Sequence, residues 1–358
     1  MDKKNICVIF GGQSSEHEVS LVSASFVMKN VDPEKYNLFT VGITKNGQWY
    51  LYSGPIERIK ENTWQTEDFC RPAFIAPDAV IHGLVVLDSC GERIEDQIRI
   101  DCVLPILHGR FGEDGTIQGL FEMARIPYAG CGVTASANAM DKVFSRTIFD
   151  AQGIPQANWT WCARRTFMRD PQPEIERIEQ DFTYPVFVKP ANAGSSVGVS
   201  KAKSRDALIK ALNLAFEHDS KAVIEEYVDC REIEIAILGG EPPIASVCGE
   251  IVPANEFYDY EAKYQDENSR LILPAQISQT DYETIRTYAL KAFAAIDGAG
   301  LSRIDFFIRK QDGKIFLNEI NTMPGFTEIS MFPKLMRHSG IESPELVTRL
   351  IELAMNGE

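Results

Sequence analysis

The N-terminal part of the chain alternates short apolar runs with glycine-bounded turns. Ile6 to Phe10 is a continuous apolar run that ends in Gly11-Gly12, the pattern of a strand buried on both faces of a parallel sheet. Ser15 and Glu18 form an S-x-x-E capping box ahead of further apolar positions. This box predicts a helix that begins near Glu16.

Two further apolar runs, at 84–87 and 102–107, have the length and composition of buried strands. Strands that alternate with helical patterns indicate an α/β domain. We therefore predict one domain at 1–137, of the doubly wound kind with a parallel sheet.

The remainder of the chain continues with helices and strands and shows no internal repeat or low-complexity linker. A second segment opens at 138, and a third runs from about 217 to 358. The patterns predict helices at 141–152, 204–217, 280–296 and 343–355, and strands at 184–190 and 223–228.

The composition narrows the function. The formal net charge of -15 argues against a nucleic-acid or anionic-membrane partner, because both require a basic surface. The eight cysteines contain no C-x-x-C pair and lie mostly in apolar runs, which indicates reduced thiols. The apolar run before Gly11 is too short for a signal peptide, and no stretch approaches the ~20 apolar residues that span a bilayer. We expect a cytoplasmic protein.

Two strand-like runs near the C-terminus, 303–308 and 315–321, are predicted to form one hairpin. Glu319 and Asn321 are two residues apart, so they share a face, and Asp305 can join them if the strands are paired in the right register. Two carboxylates and an amide supply the oxygen ligands that suit Mg²⁺. The alternative is the polar outer face of an ordinary hairpin.

The register of this hairpin decides between the two interpretations. Asp305 lies opposite Glu319 if a three-residue loop is centred on Asp312, with Gly313 in the left-handed conformation. A two-residue Asp-Gly turn would place Asp305 opposite Ile320 and turn its side chain away. The metal hypothesis therefore requires the longer loop. Arg303 would share the face of Asp305 and could neutralise a developing negative charge, although such an arginine is more often a surface ion-pair residue.

A second candidate combines Lys189 with the glycine-rich loop 193–198, which contains Ser195 and Ser196. Glycines let backbone N–H groups approach phosphates closely, and the lysine supplies positive charge. The lysine precedes the glycines, so this is not a P-loop. A glycine-rich hairpin without function would have the same pattern.

Three further stretches carry candidate chemistry. Glu16 follows the first glycine pair and could bind a substrate ammonium, although an acidic residue at a helix start more often stabilises the helix dipole. His108 ends a strand where α/β sheets place ligands, although a single histidine there is more often structural. The aromatic and charged stretch 257–264 is either a mobile lid or an exposed patch.

Taken together, these stretches resemble the D-alanine-D-alanine ligases of the ATP-grasp superfamily, and the resemblance covers nearly the whole chain. It implies an ATP-grasp fold. The domain at 1–137 would bind the first substrate, 138–216 would form the central ATP-grasp domain, and 217–358 would form the C-terminal one with the magnesium and second-substrate sites.

The resemblance implies roles for positions at the substrate end. Glu16 receives the ammonium of the first D-alanine in a hydrogen-bonded chain with Ser195 and Tyr264. His108 contacts the carboxylate region of that substrate, and Ser330 binds the carboxylate of the second D-alanine.

It also implies how ATP and its cation are held. Eight residues match the positions at which the family binds the adenine, ribose and phosphates of ATP: Lys142, Lys189, Ser196, Glu225, Tyr227, Val228, Glu232 and Lys263. Lys263 would reach ATP when its loop closes. The magnesium ligands, which could also take manganese, match Asp305, Glu319 and Asn321, and the oxyanion site matches Arg303 and the backbone of Gly325.

The implied reaction joins two D-alanines through a D-alanyl phosphate for peptidoglycan synthesis, in a homodimer. Retention of the aromatic stretch at 258–264 favours a dipeptide over D-alanyl-D-lactate, while D-serine as second substrate stays open. Two other classes compete. One is another ATP-grasp enzyme, such as a carboxylase subunit or a different amino-acid ligase, and the other is a non-catalytic nucleotide-binding protein, which the intact set of candidate residues disfavours.

Overall fold

The computed structural model describes residues 3–194, 197–252 and 270–357, and these residues form three β-sheets with helices packed on them. No helix in the described ranges is long and apolar enough to cross a membrane. All eight cysteines are free thiols, five of them buried, as the sequence predicts for reduced residues.

The first sheet contains the N-terminal strands in the order β6-β5-β4-β3-β2-β1-β7. Its strands are β1 (Lys4–Gly11), β2 (Tyr36–Ile43), β3 (Trp49–Tyr52), β4 (Cys70–Ile75), β5 (Gly83–Leu87), β6 (Ile94–Arg99) and β7 (Cys102–Pro105). The continuous apolar run of β1 is fully buried, as predicted. The α/β class is confirmed, but the parallel pairing is confined to β2-β1-β7, and β2 to β6 pair antiparallel.

The helices of this part are α1 (His17–Lys29), α2 (Ile56–Lys60), α3 (Thr116–Ala124) and α4 (Val133–Met140). The start of α1 was predicted correctly, but the capping box was not. Glu16 is the N-cap, and Glu18 makes an ion pair with Lys45 instead of reaching back to Ser15. The turn is fixed by Ser14, whose hydroxyl accepts from Glu16 N at 3.1 Å and donates to His108 O at 2.6 Å.

The second sheet has the order β10-β9-β11-β8 and is antiparallel throughout. Its strands are β8 (Trp159–Ala163), β9 (Val186–Pro190), β10 (Ser200–Ala202) and β11 (Lys221–Glu226). The accompanying helices are α5 (Lys142–Ala151), α6 (Arg164–Arg169), α7 (Pro171–Asp181) and α8 (Arg205–His218). Asp141 caps α5 by accepting from Val143 N at 3.0 Å, which fixes Lys142 in the first helical position.

The third sheet is also antiparallel, in the order β14-β13-β12-β15-β16. Its strands are β12 (Cys230–Leu238), β13 (Ile244–Val252), β14 (Arg270–Ile272), β15 (Leu301–Arg309) and β16 (Ile315–Asn321). The helices are α9 (Gln279–Ala295), α10 (Met331–His338) and α11 (Ser343–Asn356). The predicted hairpin is thus β15-β16, at one edge of this sheet.

The turn of this hairpin differs from the prediction although the register at Asp305 does not. Arg309 and Lys314 close a four-residue loop through Arg309 N to Lys314 O at 2.9 Å, so the three-residue loop centred on Asp312 is wrong. A bulge then shifts the ladder, so that Asp305 opposes Glu319 whereas Phe306 opposes Leu317. Gly313 is left-handed, with φ +71°, as predicted.

The largest hydrophobic core joins the two ends of the chain. Ile6 and Val8 of β1 belong to the same buried cluster as Leu346, Leu350 and Ile351 of α11. The last helix therefore packs on the first sheet although the rest of its segment surrounds the third. The division at 137 and 216 stays a prediction.

Candidate active site

A cavity of about 1180 Å³ lies where the three sheets meet. Every predicted site residue in the described ranges lines it: Glu16, His108, Lys142, Lys189, Glu225, Tyr227, Val228, Glu232, Arg303, Asp305, Glu319, Asn321, Gly325 and Ser330. The remaining predicted residues, Ser195, Ser196, Lys263 and Tyr264, lie outside the described residues, as does the whole 257–264 stretch. Positions far apart in sequence therefore converge on one space.

Glu16 is buried at the tip of the β1-α1 turn and is enclosed by two glycines. A methyl group added to Gly109 or to Gly194 would lie 2.6 Å from Glu16 Oε2. The carboxylate is therefore in contact with the loop after β7 and with the glycine-rich loop after β9. This enclosure suits a carboxylate that binds a small cation such as a substrate ammonium.

His108 links the first sheet to the loop that follows β16. Its Nδ1 donates to Met323 O at 3.0 Å, and its Nε2 lies 3.0 Å from Ser23 Oγ, which also accepts from Phe326 N at 3.3 Å. Burial lowers the pKa of His108, but the carboxylates of Glu113 and Glu16 more than offset this and raise it. Both ring nitrogens are thus engaged by the protein itself, so a direct contact from either to a substrate would require one of these bonds to be exchanged.

Two ammonium groups face the glycine-rich loop. Lys142, at the start of α5, donates to Ala193 O at 2.9 Å, and Lys189 on β9 lies beside it. Burial lowers the pKa of Lys142, with Glu319 acting in the opposite direction. A pair of cations next to a glycine-rich loop is an arrangement that binds phosphates.

Glu225 on β11 is buried and holds two cations. Its Oε1 accepts from Arg146 Nη2 at 2.6 Å, and its Oε2 accepts from Lys189 Nζ at 2.9 Å. Burial would raise the pKa of this carboxyl, but Arg146 and Lys189 lower it overall. The side chain predicted to contact the nucleotide therefore also fixes the position of the phosphate-facing lysine.

The edge of the cavity next to Glu225 offers a flat surface. The rings of Phe187 and Tyr227 lie 6.1 Å apart, and Lys201 Nζ sits 3.8 Å from the centroid of Tyr227. Val228 and Glu232 also line the cavity. An aromatic, aliphatic and charged border of this kind suits a nucleobase and ribose.

The third sheet contributes a charged face. Arg303 makes a bidentate pair with Asp305, with both distances 2.7 Å, and its Nε lies 3.1 Å from Glu234 Oε2. Asn321 Nδ2 donates to Asp305 Oδ2 at 3.1 Å. Burial would lower the pKa of Arg303, but the adjacent Asp305 and Glu234 raise it.

The donor set on this face fits a magnesium ion. Asp305 and Glu319 are directly opposed, Asn321 lies two pairs further along and opposite Arg303, and the Oδ1 atom of cavity-lining Asn318 is buried without a hydrogen-bond partner in the described residues. All of these donors are oxygens, the ligands that Mg²⁺ prefers. In the described ranges, no three Asp, Glu, His or Cys side chains converge on one metal position, so two carboxylates with amide and phosphate oxygens are the set available.

Gly325 and Ser330 also line the cavity and lie close to each other. Ser330 is the N-cap of α10, but its hydroxyl lies 2.7 Å from Thr327 Oγ1 instead of capping the helix. A methyl group on Gly325 would lie 3.0 Å from Ser330 Oγ. A hydroxyl beside an uncapped helix start is suited to a carboxylate.

Sequence reasoning missed several residues of the site. Arg146 lies four residues after Lys142 on α5, a spacing that places both on one helix face. Glu234 follows Glu232 by two in an otherwise apolar strand, which marks both as facing away from the core. Glu113, which lies 3.7 Å from His108, carried no comparable signal.

Models of two protein-family regions match this chain. The one described as D-ala D-ala ligase N-terminus matches residues 5–131, and the one described as D-ala D-ala ligase C-terminus matches residues 148–352.

Similar proteins of known name cover almost the full length. The D-alanine-D-alanine ligase of Acetivibrio thermocellus is 50% identical over 364 residues, covering 99% of this chain and 96% of its own. That of Geobacillus thermodenitrificans is 46% identical, with coverages of 99% and 96%. In solved structures, the VanG D-Ala:D-Ser ligase from Enterococcus faecalis has a TM-score of 0.89 at 37% identity, covering 99% of this chain and 100% of its own. The D-alanine-D-alanine ligase from Coxiella burnetii has a TM-score of 0.84 at 33% identity, covering 100% and 95%.

Proposed function

The chain belongs to the D-alanine-D-alanine ligase family, and from this membership we propose how its residues carry out the reaction. It is an ATP-dependent ligase that joins two D-alanines into D-alanyl-D-alanine for peptidoglycan synthesis. The observation on which the residue assignments rest is that all described candidates from three separate sheets line one cavity. The assignments below are proposals.

At the substrate end, Glu16 binds the ammonium of the first D-alanine. Its enclosure by Gly109 and Gly194 supports this role, because neither glycine has a side chain that would fill the space beside the carboxylate. We assign His108 to holding the loop at 323–326 in place, since both of its ring nitrogens are already bonded. Ser330 then takes the carboxylate of the second D-alanine beside Gly325.

At the nucleotide end, Lys142 and Lys189 hold the phosphates of ATP, while Glu225, Tyr227, Val228 and Glu232 surround adenine and ribose. Asp305, Glu319 and Asn321 would hold Mg²⁺, or Mn²⁺ in its place, against the phosphate oxygens. When bound, the ion offsets the negative charge of the transferring phosphoryl group. Ser195, Ser196, Lys263 and Tyr264 keep the roles that the family resemblance implies.

The chemistry proceeds in two steps. A carboxylate oxygen of the first D-alanine attacks the γ-phosphorus of ATP, and ADP leaves, which converts a poor electrophile into an acyl phosphate. The amine of the second D-alanine then attacks the acyl carbon, and phosphate leaves. Arg303 and the backbone of Gly325 stabilise the oxyanion that forms between these events.

D-alanine is the second substrate. Eight curated relatives that are 43 to 50% identical carry the D-alanine-D-alanine name, whereas the D-Ala:D-Ser ligase is 37% identical. We further propose that the protein works as a homodimer in the cytoplasm, where ATP and reducing conditions are available.

Product analysis tests these assignments. Purified protein, ATP, Mg²⁺ and D-alanine should yield ADP, phosphate and D-alanyl-D-alanine, and chelation of the metal should stop the reaction. In equimolar mixtures with D-serine or D-lactate, D-alanyl-D-alanine should remain the main product. ADP release that depends on an L-amino acid would contradict the assignment. So would a product containing D-serine or D-lactate that exceeds D-alanyl-D-alanine. Sedimentation analysis checks the dimer.

A further inference from the structure

Three carboxylates form a row across three adjacent strands of the third sheet. Glu234 on β12 is paired in register with Asp305 on β15, which is paired in turn with Glu319 on β16. All three line the cavity. Asp305 and Glu319 have proposed roles at the metal, but neither the family resemblance nor the reaction assigns one to Glu234.

Glu234 makes an ion pair with Arg303. Its Oε2 lies 3.1 Å from Arg303 Nε, and the Glu234 side chain is 8% exposed and that of Arg303 16% exposed. In the described ranges, no three acidic side chains converge on one ion, so Glu234, Asp305 and Glu319 do not form a single metal centre. Arg303 Nε therefore has two carboxylates beside it: Asp305 Oδ1 at 2.7 Å, which accepts its hydrogen, and Glu234 Oε2 at 3.1 Å.

Asp305 and Glu234, the two carboxylate partners of Arg303, differ in that only Asp305 has a proposed role at the metal. Asp305 is the bidentate partner of Arg303, with both distances 2.7 Å. An oxygen of Asp305 that binds Mg²⁺ gives a lone pair to the ion, so the bidentate hold of Asp305 on the guanidinium would weaken once the ion is bound. A largely buried guanidinium that lost this hold with no second carboxylate beside it would be left uncompensated and would move toward water.

We propose that Glu234 is a positioning residue that takes over Arg303 when Asp305 turns to the metal. The guanidinium then stays in the cavity, held by Glu234 through Nε, while its Nη groups are released toward the oxyanion. The inference rests on the proposed metal role of Asp305.

Glu234→Gln tests the exchange, because the amide keeps the shape but lacks the charge. The control is Glu250→Gln, which removes the carboxylate from another bidentate arginine pair of the same sheet, Arg231–Glu250, at 2.8 and 2.7 Å, in which Arg231 is half-buried. That pair does not line the cavity. Comparison of the two variants separates loss of a buried ion pair from loss of Arg303 positioning.

The direct readout is the Nε–H signal of Arg303 in ¹⁵N-arginine-labelled protein, assigned from its absence in Arg303→Lys. In wild type, the signal should stay protected from water exchange both without ligands and with Mg²⁺-ADP, with a changed chemical shift. In Glu234→Gln it should be protected without ligands, where Asp305 still holds it, and should exchange at least roughly tenfold faster with Mg²⁺-ADP. Equal protection of the two proteins with Mg²⁺-ADP would overturn the proposal.

Kinetics give a second, independent readout. Glu234→Gln should lower kcat by roughly 10- to 100-fold, because a misplaced group loses most of its effect, and should leave the KM for ATP within about twofold. Glu250→Gln should leave both constants close to wild type. A raised KM for ATP with unchanged kcat in Glu234→Gln would overturn the proposal in favour of a nucleotide contact.

Different results would refute the exchange of Arg303 between carboxylates and the ligase function. If wild-type protein makes D-alanyl-D-alanine but Mg²⁺-ADP leaves the Arg303 signal unshifted, the exchange is refuted while the ligase function stands. If wild-type protein makes no dipeptide, the proposed function is refuted whatever the spectra show.

Discussion

Asp305 on β15 directly opposes Glu319 on β16, and one residue further toward the turn the register of the two strands shifts. The extra residue is Asn318, which lies between Leu317 in the core and Glu319 at the cavity. The bulge therefore reverses the alternation of β16, so that Leu317 and Ile320 are both buried although they are three residues apart.

Removal of either opposed carboxylate should abolish ligation with little change in fold. Asp305→Asn and Glu319→Gln keep the size of each side chain but weaken the proposed hold on Mg²⁺, so turnover should fall by at least about 10²-fold. ADP release measured over a range of Mg²⁺ concentrations checks this. Asp312→Asn, in the exposed turn of the same hairpin, is the control and should keep full activity. Wild-type turnover in either cavity variant would refute its metal role.

Glu225→Gln should weaken both ATP binding and stability. Arg146 and Lys189 would lose the carboxylate they share, and breaking a buried ion pair from one side costs roughly 3–5 kcal/mol. The KM for ATP should rise about tenfold, because Lys189 is no longer fixed. Urea unfolding and ATP titration measure the two effects. Glu179→Gln, which breaks the more exposed pair with Arg205, should cost less than about 1 kcal/mol.

The same variant carries a pH signature. The pKa of Glu225 is lowered in the folded protein, so its contribution to stability is complete above the unfolded-state pKa of about 4.3. That contribution is lost as the pH falls through the lower folded-state pKa, where wild type also becomes neutral at this position. The stability difference between wild type and Glu225→Gln should therefore be largest near neutral pH and should shrink in acid. A difference that grows on acidification would contradict the assigned ion pairs.

Gly194→Ala should disturb the first-substrate site through Glu16. The new methyl group would lie 2.6 Å from Glu16 Oε2, so the carboxylate must move away from the position it now holds. We expect the KM for D-alanine to rise at least about tenfold, and by more than the KM for ATP. Gly119→Ala is the control, because its methyl group in α3 would meet no heavy atom within 4 Å. An unchanged KM for D-alanine would show that the contact does not matter.

Ser23→Ala should loosen the loop that carries Gly325. Ser23 joins His108 Nε2 to Phe326 N, and loss of its hydroxyl leaves both buried groups unsatisfied at a cost of about 1–3 kcal/mol. The kcat/KM for D-alanine should fall with stability. Ser25→Ala is the matched control on the same helix, because within residues 3–194, 197–252 and 270–357 its hydroxyl bonds only to Leu21 O. Equal effects of the two substitutions would argue against the His108 link.

The features of this fold that the sequence predicted are those set by residues close together in the chain, and those it did not predict depend on residues far apart. The buried run of β1, the start of α1 and the pairing of β15 with β16 were predictable, because each depends on hydrophobic patterning and local turn chemistry. The predicted capping box was wrong because Glu18 makes an ion pair with Lys45, which is distant in sequence. The antiparallel pairing of β2 to β6 was not foreseen either, since apolar runs do not encode strand direction.

The loop length of the β15-β16 hairpin was predicted wrongly, although the pairing of Asp305 with Glu319 was predicted correctly. A uniform alternation required a three-residue loop to align Asp305 with Glu319, but the chain achieves the alignment with a four-residue loop and a bulge. The signal was present in the three-residue spacing of Leu317 and Ile320, which a regular strand cannot bury together. The partnership of Arg303 with Glu234 depends on how β12 pairs with β15, which no local pattern specifies.

The burial of α11 against β1 has a consequence for biosynthesis. The first strand emerges from the ribosome long before residues 343–356, yet Ile6 and Val8 share one core with Leu346, Leu350 and Ile351. The N-terminal sheet therefore cannot complete its hydrophobic packing while the middle of the protein is still being translated. During synthesis, the apolar face of the N-terminal sheet that the last helix covers therefore stays exposed until that helix is made. A frameshift near the 3′ end of the message would leave this face permanently exposed.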